Sequence, residues 1–196
     1  MHDVRASLVG NSALKVARSA KIAIRTLAPI WFDRRGTSAI EFSFFAVLLS
    51  LAVLNTVDVS VYMYQRMEVE NAAEMGAQAA WKTCNVDLLP AERNCPGLMT
   101  AITNAVQGTS LGSKVTLQSD SPSEGYYCVN SSNTLQYVGG IDAEPADCTA
   151  AGMPNLKPAD YIKIGAQFSY QPMFSGITVA GMFATPITKT AWMRLD

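Results

Sequence analysis

Histidine is almost missing from this chain. The one copy, His2, stands near the start, and positions 37–196 hold none. That absence removes Ser-His-Asp and Cys-His catalysis, and histidine-ligated metals, from the later part. There is no Cys-x-x-Cys, which leaves zinc and redox readings weak. No charge occurs from Phe42 to Val57, and no proline from Asp58 to Lys82, where Gly76 is the single glycine. Residues 37–196 carry no basic stripe, so nucleic acid is disfavoured as a partner. No Ala-x-Ala-like site follows the apolar run, so it is not an ordinary secretory signal. Internal repeats and low-complexity segments are also lacking.

What is present is 196 residues, 49% of them apolar. That is long enough for one domain plus a membrane segment and a leader, with a packed core rather than general disorder. The net charge of −1 hides an asymmetry. Residues 1–36 carry seven Lys or Arg against Asp3 and Asp33, whereas residues 37–196 carry eight basic and fourteen acidic groups. The positive-inside tendency keeps the basic end cytoplasmic and exports the rest. Residues 1–36 read as a basic cytoplasmic leader, in which a surface helix over roughly 12–28 is the alternative to a solvated tail.

The organising stretch runs from Arg34 to Asp58. A bilayer core about 30 Å thick needs ~17–25 mostly apolar helical residues, and Thr37–Val57 supplies 21. Glu41 is the anomaly. A charge of this kind costs roughly 2.5–3.5 kcal/mol at mid-bilayer, so it needs shallow placement or a partner. Residues 37–58 are read as the transmembrane segment and 59–196 as an exported head. All four cysteines, Cys84, Cys95, Cys128 and Cys148, fall in the head. An even count in an exported domain fits two disulfides. Of the three connectivities, neighbour pairing, Cys84–Cys95 and Cys128–Cys148, is expected.

The helix should continue through 59–82, where Ala, Glu, Gln and Met abound, with Val61, Tyr64, Ala72, Met75 and Ala79 on one stripe. Tyr62 and Tyr64 stand where interfacial aromatics are expected. Residues 84–94 read as a loop, and a second helix follows over 97–107 with Leu98, Ile102, Ala105 and Val106 inward and Gly108 at its end. The period then changes to two. Val115–Leu117 is a short strand, Tyr126–Val129 and Thr134–Val138 flank a four-residue turn, Tyr161–Tyr170 is the best strand, and 187–195 closes the sheet. Residues 139–158 read as a long loop held by a disulfide, and 176–183 as a loop packed on the sheet or a short helix. The head is α+β, a long helix on an antiparallel sheet of three to five strands over 114–195.

Gly108-Thr-Ser110-Leu-Gly112 matches the nucleophile-elbow pattern, but a helix precedes it, a strand follows, and no histidine is at hand, so it reads as a turn. Asn130-Ser-Ser132 fits a glycosylation sequon and, equally, a hairpin turn. The pairs Glu68/Glu70 and Glu70/Glu74 read as exposed helix charges. No catalysis, metal or cofactor is assigned.

One constellation stands apart: Arg34-Arg-Gly36-Thr37, then Glu41 at the fifth position after the glycine, then uninterrupted apolar residues. Gly36-Thr-Ser-Ala-Ile-Glu41-Phe42-Ser resembles the Gly-x-x-x-Val-Glu-Phe-Ala start of the TadE-like minor pilins (pseudopilins) of the tight-adherence, or Flp, pilus system. Gln65-Arg-Met-Glu-Val-Glu-Asn-Ala-Ala-Glu-Met-Gly-Ala-Gln-Ala-Ala80 resembles the family's Asn-Ala-Ala-Arg-x-Gly-Ala-Arg segment, and Ala191-Trp-Met-Arg194 is a weaker echo. The strong part covers about 37–82. The resemblance implies cleavage by a prepilin peptidase between Gly36 and Thr37. It also implies docking to other pilins through the new amine of Thr37 and the carboxylate of Glu41, since an ammonium and a carboxylate in low dielectric are tolerable together and unfavourable apart. The implied partners are the peptidase, other pilins or pseudopilins, the inner-membrane pilus platform and lipid. The implied location is a bacterial inner membrane with a periplasmic head, extending to the extracellular pilus if the subunit enters the filament. The rival reading is an uncleaved single-pass anchor carrying a periplasmic binding or secretion-associated module.

Overall fold

A computed structural model describes residues 37–196. The basic leader, the surface helix weighed over 12–28 and Gly36 lie outside the described residues. The chain divides into two compact units, one ending at Leu51 and one spanning Ala52–Asp196.

The first element, α1, is the 47-residue helix Thr37–Thr83. Its length follows from composition, because nothing between these ends breaks a helix except Gly76, which costs only about 1 kcal/mol relative to Ala. Hydroxyls within the apolar run fold back on the helix. Ser43 Oγ donates to the Ala39 carbonyl at 2.7 Å, Ser50 Oγ to Ala46 at 2.8 Å, and Thr56 Oγ1 to Ala52 at 2.9 Å. Each polar side chain is thereby satisfied without water.

In the second unit, two further helices follow: α2, Ala91–Asn94, and α3, Leu98–Gln107. The expected loop over 84–94 therefore holds a 3-10 turn at Val86–Leu88 and the single turn of α2. The short elements carry too few residues to show a period, which is why the sequence reads as loop there. Five strands complete the head: β1 Val115–Leu117, β2 Ser123–Val129, β3 Leu135–Gly139, β4 Ala159–Phe168 and β5 Ile187–Arg194. All pairings are antiparallel. The ten-residue β4 is central. β5 lies along one edge of it, Tyr161 opposite Arg194 through Phe168 opposite Ile187. The other edge is shared by β2 over Ala159–Lys163 and β1 over Ala166–Phe168. β2 starts three residues before the expected Tyr126, because Ser123–Gly125 also pair with β4. The architecture is α+β, as expected.

The core lies between α1, α3 and the sheet. It holds Tyr62, Val69, Ala72, Ala73, Ala77 and Ala80 from α1, Leu98, Ile102 and Val106 from α3, and Val115, Ile162, Ile164 and Phe168 from the strands. This corrects the expected stripe. Ala72 is buried, but Val61 and Ala79 are half-buried and Tyr64 and Met75 are exposed. From Ala72 onward the helix turns small residues inward, Ala72, Ala73, Gly76, Ala77 and Ala80, whereas before that point Tyr62 and Val69 are buried. A Cβ on Gly76 would meet Val106 Cγ2 at 2.9 Å and Ile164 Cγ2 at 3.0 Å. Close approach to a layer of β-branched side chains selects Gly and Ala at Gly76 and its neighbours, and Tyr64 and Met75 are left outside.

Candidate anchoring and docking site

Thr37 opens α1, and Glu41 lies in its second turn with an exposed side chain. Ten large apolar side chains between Ile40 and Val57 are exposed, among them Phe42 at 74% and Phe45 at 67%. Fully burying such a side chain is worth about 1.5–3 kcal/mol. Ten of them left in water would forgo on the order of 15–30 kcal/mol, more than the ~5–15 kcal/mol by which a domain is usually stable. A helix apolar on every side needs an apolar solvent or apolar neighbours. It is also long enough to cross a membrane. Among the described residues it is the one candidate span, and it fits single-pass membrane anchoring.

The family comparison falls on this element. Residues 36–78 match the family model described as TadE-like protein. The chain carries a TadE-like segment. The match takes in Gly36, Thr37, Glu41, the whole uncharged run, and the small-residue face of α1 at Ala72, Ala73, Gly76 and Ala77; it ends before α2, α3 and the sheet. Neither curated proteins nor solved structures give a match to the chain.

The TadE-like helix contains a second carboxylate where its uncharged run ends. Asp58 is fully buried. Its carboxylate accepts the Met173 amide at 2.9 Å, the Phe174 amide at 3.2 Å and the Thr178 hydroxyl. Asn55 Oδ1 accepts the Val179 amide at 2.9 Å. Tyr170 and Phe183 stack against Tyr62, with ring centres 4.9 and 4.6 Å away. Asn55, Asp58 and Tyr62 thus pin the loop between β4 and β5 to α1. The partners stand more than a hundred residues apart in sequence, and only the polar pair closing an uncharged run could have hinted at them.

The cysteines form Cys84–Cys95 and Cys128–Cys148, with Cα atoms 5.7 and 5.8 Å apart. The first ties the end of α1 to the residue after α2. The second fastens the long loop 139–158 to β2. Ser110 lies in the turn between α3 and β1, and its hydroxyl donates to Glu68 Oε2 at 2.6 Å and sits 3.1 Å from the Tyr64 hydroxyl. It is tethered to a carboxylate on α1. Asn130 opens the β2–β3 turn, its Oδ1 accepting the Ser132 and Thr134 amides. Glu70 pairs with Lys189 at 2.7 Å, and this ion pair holds its carboxyl below the usual range.

A buried acidic pair lies under α2. Both oxygens of Glu124 accept backbone amides, from Ala91 and Glu92, each at 2.6 Å. Asp160, only 2% exposed, has no hydrogen-bond partner for either carboxylate oxygen among the described residues. Burial pushes its carboxyl up to about 7, with the charges of Glu124, Asp196 and Glu144 adding to the effect.

Proposed function

We propose that this chain is a minor pilin-like subunit of a tight-adherence pilus system. In this reading it is made as a single-pass membrane precursor, processed by a prepilin peptidase between Gly36 and Thr37, and has no catalytic activity of its own. The observation that carries the reading is the TadE-like helix itself, exposed and uncharged from Phe42 to Val57 with one carboxylate near its start. A family of this kind associates the chain with the Tad pilus in general terms. The specific role is our inference from the charge pattern. Glu41 brings a negative group into the mouth of a low-dielectric layer, and the N-terminal amine of an adjacent processed subunit is the cation that would neutralise it, as the Thr37 amine would serve a neighbour's carboxylate. Partners are then other pilins, the inner-membrane platform and the peptidase, with the basic end cytoplasmic and the head periplasmic.

The test is complementation of a strain whose pili need this subunit. Glu41→Gln keeps shape and removes charge, so pilus assembly should fall sharply while the amount of membrane-bound subunit stays unchanged. Assembly at the parental level with Glu41→Gln would reduce the helix to a plain tether. It would also favour the anchored binding module, for which head substitutions alone abolish function.

A further inference from the structure

The loop between β4 and β5 has features that a connection on a water-facing domain does not need. No residue between Lys163 and Lys189 is charged. Within that stretch Met173, Ile177, Val179 and Met182 are exposed, Met182 at 87%. Thr178 and Ala180 are buried in alternation with them. The polar atoms turn inward: the Met173 and Phe174 amides and the Thr178 hydroxyl go to Asp58, and the Val179 amide goes to Asn55. The Ile177 amide is satisfied within the loop by the Phe174 carbonyl, and that of Phe183 by the Ala180 carbonyl. What remains outside is an uncharged patch of flexible and branched apolar side chains, interrupted by Ser175, over a largely hydrogen-bonded backbone.

Its position says what covers it. The loop is bonded to Asn55 and Asp58, the residues at the end of the uncharged run of α1. Because Asp58 is wholly enclosed by the loop, the first charged side chain after Glu41 that reaches the surface of α1 is Arg66. The uncharged surface of residues 52–57 therefore continues onto the loop without a break. We propose that residues 173–182 form a second lipid contact, seated in the headgroup and upper acyl region of the leaflet from which the head emerges. The occupant is the bilayer itself. Asp58 serves as the latch that holds the loop against the emerging helix, fixing the head at the membrane by two points instead of one. Amphipathic segments of this kind sit about 5–10 Å into the headgroup–acyl boundary.

This inference rests on the reading that residues 37–57 cross a bilayer, and the test separates the two. The full chain, with both disulfides intact, is reconstituted into phosphatidylcholine vesicles with one added cysteine carrying an environment-sensitive fluorophore. Phe45→Cys reports the span, Met182→Cys the loop, and Leu156→Cys an exposed apolar position elsewhere in the head. Quenching by lipid-borne nitroxides is compared with quenching by iodide in the water. The expected result is lipid quenching at 45 and 182, with 182 most sensitive to a nitroxide near the headgroup, and iodide quenching at 156. Adding Asp58→Asn should shift 182 towards iodide while leaving 45 unchanged. Lipid quenching at 45 with iodide quenching at 182 overturns the loop contact and leaves the span standing. Shielding of 182 from both quenchers means that protein covers it, and also overturns the proposal. Absence of lipid quenching at 45 removes the span and this inference together.

Discussion

Replacing Asp160 by asparagine should change how the stability of the head depends on pH. Asp160 is enclosed, its carboxylate lacks a partner among the described residues, and Glu124 lies beside it. Its carboxyl rises from 3.8 to about 7 on folding. The folded state thus holds this proton more tightly than the unfolded chain does. Stability is full below about pH 4 and falls as pH rises to 7, where the folded state must finally lose the proton. A shift of about three units at 1.36 kcal/mol each gives a loss of about 4 kcal/mol across that window. Glu92, also raised by burial and by Glu124, acts in the same sense. Glu70, Asp120 and Asp147 are lowered, so their contributions are lost only as pH falls through the ordinary carboxylate range and below it. The window from pH 5 to 7 therefore reports the Asp160 site. For a chain of this size about 2–4 °C accompanies each kcal/mol, so Tm of the parent in detergent should drop by roughly 8–16 °C between pH 4 and pH 8. Asp160→Asn removes the titration and should flatten the profile. At pH 8 the variant should exceed the parent by about 1–3 kcal/mol, after subtracting about 1–3 kcal/mol for an amide with unmet hydrogen bonds. A parental Tm that is level from pH 5 to 8, or an asparagine variant that tracks the parent, would mean that Asp160 does not carry this titration.

Gly76→Val should lower stability by about 1–3 kcal/mol, seen as a fall in Tm, because Val106 and Ile164 are β-branched and cannot swing aside; an unchanged Tm would mean the α1–sheet contact is looser than described. Asp58→Ala leaves the Met173 and Phe174 amides without an acceptor, at about 1–3 kcal/mol each if they stay dry, while the Thr178 hydroxyl keeps the Phe174 carbonyl. Hydrogen exchange at Met173 and Phe174 should accelerate while β4 amides keep their protection, and equal acceleration in both would show that the loop is not separately latched. Non-reducing peptide mapping should recover Cys84 with Cys95 and Cys128 with Cys148. Removing either pair should cost about 2–4 kcal/mol, read as a lower Tm, and scrambled pairs or an unaffected Tm would contradict this.

The parts legible in the sequence were those with local causes. α1 could be read because an uncharged run is followed by helix formers without proline. β4 and β5 could be read because apolar residues alternate in Ile162-Lys-Ile164 and through Ile187–Arg194. Neighbouring cysteines close short loops, and the pairing expected on that ground is the one in the structure. What stayed hidden depends on contacts distant along the chain. The inward face of α1 is chosen by the closeness of Val106 and Ile164, which no local period of Met and Tyr reveals. Asp58 looks like the polar end of a span until Met173, Phe174 and Thr178 are brought to it. Asp160 stands just ahead of the strand expected from Tyr161, as an ordinary polar residue, and only the start of β4 at Ala159 and the register placing Asp160 opposite Tyr126, near Glu124, show it buried beside another acid.

We propose that a membrane precursor is cut so that Thr37 begins the mature subunit four residues before Glu41. N-terminal sequencing of the protein purified from cells with and without the prepilin peptidase tests it most directly. Thr37 at the first cycle only when the peptidase is present is the predicted result, and an uncut leader ahead of Thr37 in both strains would contradict it.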